Sequence, residues 1–95
     1  MASIRQLKKD VDYLTFAVID DCFTYAALSE RNEEQVVKLI ESTVLFRNEM
    51  RNRINTRQKF ADSKERKAYY KGLAIDLMKV VDEKFTQLSE LAKEK

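Results

Sequence analysis

Between Met1 and Lys95 there is no proline and only one glycine, Gly72. Tight reversals draw on those two residues for positive or pre-set φ, so a strand-rich fold with many turns is disfavoured and long helices remain. A chain of 95 residues buries about two-thirds of its unfolded surface, enough for one core and one domain spanning 1–95.

Three segments carry the helical period, and each opens with a cap signal. The first is expected over about 3–28, with Ser3 and Gln6 in a capping-box pattern. Its apolar positions Ile4, Leu7, Val11, Leu14, Val18, Cys22 and Tyr25 fall within about 80° of one another on a helical wheel. The second is expected over about 33–58, with Asn32 as N-cap and Glu33 and Glu34 where the helix dipole favours acids. Its buried face would be Val36, Leu39, Ile40, Thr43, Val44, Phe46, Met50 and Ile54, with Leu45 exposed. The third is expected over about 64–92, after Asp62 or Ser63 as cap. Its stripe is Tyr70, Leu73, Ala74, Leu77, Met78, Val80, Val81, Phe85, Leu88 and Leu91. Gly72 falls opposite that stripe, where it marks close approach of another backbone.

Three helices of about equal length with short connections predict an all-α, up-down-up antiparallel three-helix bundle. Arg47 and Lys84 interrupt the apolar faces. A long charged chain over apolar surface needs a partner or an exit to water, and counting levels along the helices predicts structural pairs Arg47 with Asp76 and Asp21 with Lys84.

Charge is uneven. Residues 47–71 hold nine Lys/Arg against three Asp/Glu, in a chain whose net charge is +2. In the expected topology Arg5, Lys8 and Lys9 join this segment, while Glu30, Glu33, Glu34 and Glu90 collect at the other end. A basic patch of Arg53, Arg57, Lys64, Lys67 and Lys71, with Phe60 and Tyr69 nearby, suits an acidic protein or the phosphates and bases of a nucleic acid. No helix-turn-helix spacing or RNA-binding motif accompanies it. A solvated charged face is the plainer account.

Catalysis has less support. There is no histidine, so the commonest general base and metal ligand are missing. Asp20 with Asp21 and Glu33 with Glu34 are adjacent pairs, and neighbours on a helix point about 100° apart rather than sharing a proton. No HExxH, CxxC, GxxxxGK or GxSxG occurs. Cys22 lies within the core stripe, as a buried thiol with no base to activate it. The expectation is a non-enzyme without cofactor or metal. No window approaches the roughly 20 apolar residues of a membrane span, and no membrane partner is expected.

The first helix carries a second stripe, Phe16, Ile19, Phe23 and Ala26, about 120° from the first. Either this helix touches both neighbours across a wide arc, or the stripe is exposed and forms a homodimer interface. The sequence Ile4-Arg5-Gln6-Leu7-Lys8-Lys9-Asp10-Val11-Asp12-Tyr13-Leu14, followed by Val18-Ile19-Asp20-Asp21-Cys22-Phe23, resembles the start of a family of small, uncharacterised bacterial helical proteins. That resemblance implies a cytoplasmic bacterial protein and supplies no binding residue. The expected role is therefore a non-catalytic interaction or assembly module, homodimeric through its first helix, with nucleic-acid binding at the basic pole as the alternative.

Overall fold

Apolar residues recurring every three or four positions leave each segment with one face to hide, and three such faces close on a shared axis. A computed structural model describes residues 4–29, 32–55 and 59–93. Within them the chain is all-α, with α1 at Ile4–Leu28, α2 at Glu33–Asn55 and α3 at Ser63–Lys93, each helix packed on both others. The course is up-down-up, so α1 and α3 run parallel with α2 antiparallel between them in sequence. Ser3 and positions 56–58 of the expected helices lie outside the described residues.

The core is built from Leu7, Val11, Val18 and Cys22 of α1, Val36, Leu39, Met50 and Ile54 of α2, and Leu73, Leu77, Val81 and Leu88 of α3. Most other expected stripe residues, such as Leu14, Ile40, Phe46 and Phe85, pack half-buried against it, and Val80 is half-buried; Val44 at 39% and Met78 at 59% exposure lie outside it. Each lies about 100° from the centre of its stripe, and a helix with two neighbours buries a narrower arc than that. Thr15 is buried instead, beside Val11. Its hydroxyl donates to the Val11 carbonyl at 2.6 Å, and the Thr43 hydroxyl donates to the Leu39 carbonyl at 2.7 Å. Bonding backward within the helix lets both hydroxyls be buried without an orphaned polar atom.

Each end of the bundle has its own clasp. At one end the Tyr25 hydroxyl donates to the Leu91 carbonyl at 3.2 Å, and the Asn32 side-chain amide donates to both Tyr25 Oη and the Leu91 carbonyl at 3.3 Å. Asn32 was expected to cap α2 with its side chain. It instead adopts φ 60°, its carbonyl accepts from Val36 N at 2.9 Å, and its side chain ties α1 to α3. Asparagine is among the few residues that enter the left-handed region readily.

At the other end the Tyr69 hydroxyl donates to the Arg53 carbonyl at 2.8 Å and the Tyr70 hydroxyl to the Ile54 carbonyl at 3.4 Å. These are last-turn carbonyls of α2, which have no intrahelical donors of their own. Phe60 packs on Tyr69 at 5.3 Å between ring centres, so these rings form a structural cluster rather than a free stacking platform. Asp62 caps α3, accepting from Glu65 N at 2.8 Å, while Glu65 reaches back to accept from Ala61 N at 3.0 Å.

Among the described residues the helices span 25, 23 and 31 residues, where about equal lengths were expected. The contact of Tyr25 with Leu91 sets Ile4 level with Tyr70, so the first two turns of α3 run past the described start of α1. Gly72 marks no close approach: a Cβ placed there would meet nothing within 4 Å.

Candidate functional site

The ion pairs settle which flank of each helix faces which neighbour. Arg47 does not pair with Asp76. Its Nε donates to Asp12 Oδ1 at 2.9 Å, and Arg51 Nη1 donates to Asp12 Oδ2 at 2.9 Å, so one α1 carboxylate holds two α2 guanidinium groups. Asp76 pairs with Arg53 at 3.1 Å. Lys84 does not reach Asp21 either: its ammonium donates to Ser42 Oγ at 2.8 Å on α2. Asp21 is exposed on the other side of the bundle, at a shallow depression beside Phe85 and Leu88 of α3. The expected levels were close, but Arg47 turns to α1 rather than α3, and Lys84 to α2 rather than α1.

Those pairs define a seam on the outer surface between α1 and α2. Asp12, Phe16, Ile19 and Phe23 follow at i, i+4, i+7 and i+11, one flank of α1. Val37, Ile40, Val44, Arg47 and Arg51 follow at i, i+3, i+7, i+10 and i+14, one flank of α2. Because Asp12 bridges to Arg47 and Arg51, both flanks border the same groove, and the antiparallel register sets Phe16 opposite Val44, Ile19 opposite Ile40, and Phe23 opposite Val37. The Arg47 guanidinium lies 5.3 Å from the centre of the Phe16 ring. Phe16 is 48% exposed, Phe23 59% exposed, Val37 half exposed, and Ile19 and Ile40 partly buried. Ala26 is exposed at the end of the α1 row. The seam is thus a second apolar row on each of two helices, exposed at Phe16, Phe23, Val37 and Val44, with Ile40 reaching inward to pack against the core. The α1 row is legible in the sequence and its partner is not, because Ile40 and Val44 both read as core residues of α2 and only Ile40 packs there. The 3-4 spacing of Val37, Ile40 and Val44 was the available signal.

The basic patch divides. Arg53 is drawn into its pair with Asp76, and Arg57 lies outside the described residues. Lys64, Lys67 and Lys71 share one exposed flank of α3. Lys67 and Lys71 meet Arg5 of α1 around a groove of about 980 Å³. Ile4, Leu7, Ala68, Tyr70 and Ala74 supply its apolar surface, and Arg66 stands over Tyr70 at 5.9 Å from the ring centre.

Burial, with a smaller contribution from the neighbouring Asp21 carboxylate, raises the Cys22 thiol above its ordinary value. Among the described residues no group of three or more Cys, Asp or Glu is placed to hold a metal ion, and no helix is long and apolar enough to cross a membrane. Comparison with protein-family models, curated proteins and solved structures finds no match to this chain.

Proposed function

We propose that this protein is a non-catalytic assembly module whose working unit is a two-fold homodimer joined through the α1/α2 seam. The observation that carries the reading is the row-on-row pairing of Phe16, Ile19 and Phe23 with Val37, Ile40 and Val44 on an open surface. A helix needs one apolar row to join its own bundle; two adjoining helices with a second aligned row fit a helical layer from outside.

The charges along α2 favour a second copy as that layer. Glu33 lies seven residues before Ile40 on this flank and Arg47 seven residues after it. A two-fold axis at the level of Ile40 brings Glu33 of one copy level with Arg47 of the other, at both ends of the apolar strip. Complementary ends of this kind set register and direction more than raw affinity. One long side of a molecule 53 Å by 18 Å also offers about the ~800 Å² per partner that stable interfaces bury.

Light scattering coupled to size exclusion, with sedimentation across a concentration series, tests this. The expected result is a dimer, and a folded monomer for Phe23→Asp, because Phe23 adds nothing to the core. A wild-type chain that stays monomeric at millimolar concentration overturns the reading.

A further inference from the structure

We propose that the groove at the basic pole is a binding site for an anionic amphiphile of the long-chain carboxylate class. It lies between the described first turns of α1 and α3, with Ile4, Arg5 and Leu7 on one wall and Ser63, Lys67, Tyr70 and Ala74 on the other. At about 980 Å³ it lies near the upper end of the ~300–1,000 Å³ of small-molecule sites, and it is lined by few polar atoms.

Two features together select the ligand. Ile4, Leu7, Tyr70 and Ala74 present an apolar floor, which a polar polyanion would leave unsatisfied. Among the described residues the rim carries Arg5, Arg66, Lys67 and Lys71, and no carboxylate lines the groove. None of the four makes an ion pair among the described residues. The acids nearest them in sequence are engaged elsewhere: Asp62 and Glu65 cap α3, Asp76 pairs with Arg53, and Asp10 accepts from Gln6 Nε2 at 2.9 Å. An apolar floor under an uncompensated cationic rim matches one negative headgroup on a flexible apolar tail: the chain lies along Leu7, Tyr70 and Ala74, and the carboxylate reaches the rim with charge-assisted bonds. The groove lies beyond the Asp12 end of the dimer seam, so this site stands whether or not the chain self-associates.

The test is calorimetric titration of the full chain with sodium laurate below its micelle concentration, with dodecyltrimethylammonium, inorganic phosphate and a short DNA duplex as parallel titrants. The expected result is saturable binding of one laurate per chain. Affinity for the cationic analogue and for phosphate should be about tenfold weaker or more, as for loss of a charge-assisted bond or of the apolar tail. NMR shifts should centre on Tyr70 and Ala74. Lys67→Glu with Lys71→Glu should lower laurate affinity at least about tenfold with an unchanged thermal melt, since both side chains are exposed. Equal binding of the two amphiphiles, undiminished laurate binding by the double variant, or binding of the duplex without laurate overturns the proposal. So does capture by phosphatidylglycerol vesicles with no binding of monomeric laurate.

Discussion

Arg47 Nε lies 2.9 Å from Asp12 Oδ1 across 35 residues of chain, and the same guanidinium lies over the Phe16 ring. One side chain therefore both locks the α1/α2 register and closes one end of the apolar seam. Asp12 is shared with Arg51, so removing the carboxylate strips two partners at once. Both guanidinium groups and the carboxylate are partly solvated, which keeps the energy small. Asp12→Ala should lower stability by about 1 kcal/mol in chemical denaturation. Arg47→Ala in the Asp12→Ala background should then add less than Arg47→Ala alone, a coupling that a double-mutant cycle reads directly.

Asn32 holds a conformation and a clasp together, and two substitutions separate them. Asn32→Gly keeps the left-handed backbone at φ 60° and loses both side-chain bonds; Asn32→Ala loses the bonds and strains the backbone as well. The glycine variant should fall by about 1 kcal/mol for two long, partly exposed bonds. The alanine variant should fall about 1 kcal/mol further, because the left-handed region disfavours a Cβ. Equal melting temperatures for the two variants would show that the φ value carries no strain.

Helix content and most of the core were legible because they depend on local spacing: Leu73, Leu77 and Val81 read as one face, and Asp62 is one of the two residues that read as the cap of α3, with no knowledge of the neighbours. Levels were nearly legible too. Arg53 under Tyr69 and Ser42 beside Lys84 lie close to the antiparallel count made back from the second connection. Flanks were not. An amphipathic stripe says which side of a helix is inside, but the bundle can turn either way, and its handedness decides which flank meets which neighbour. Reversing it would exchange the sides that each helix turns to its two neighbours, and a count of levels alone, which pairs Arg47 with Asp76 and Asp21 with Lys84, carries nothing about handedness. The seam was half legible for the same reason: Phe16 and Phe23 were visible as a row, while Val37 and Val44 become its partner only once α2's flank is known. The basic groove lies where the first turns of α1 and α3 meet, and local spacing does not say which turns of two helices will be neighbours.

Gly72 sits within α3 with open space where a side chain would begin, and its φ is not positive. Nothing in the folded state requires glycine there. Gly72→Ala should raise stability by up to about 1 kcal/mol through helix propensity alone. In a domain of this size that gain raises Tm by about 4–8 °C, measurable by circular dichroism. A fall in Tm would show that some neighbour needs the space.

Cys22 is buried in the core of α1, and its thiol, ordinarily near 9.0, is raised first by burial and then by the adjacent Asp21 carboxylate. In the unfolded chain the thiol loses its proton at lower pH than in the folded one, so deprotonation favours unfolding. The contribution to stability is whole below about 9.0 and declines as pH climbs through the folded value. Other titrating groups act alike on wild type and on Cys22→Ala, so the difference between them isolates the thiol. Wild type should exceed Cys22→Ala in urea denaturation near neutral pH, through packing, and that margin should narrow at about pH 10, where an unfolded thiol is ionised. Thiol labelling should agree. In the folded state a disulfide reagent should react on the order of 10³-fold more slowly than in concentrated urea, because the sulfur is reached only through opening of the bundle. Rapid labelling without denaturant, or a margin that does not change with pH, would mean that α1 opens to water at Cys22 far more often than its packing against α2 and α3 allows.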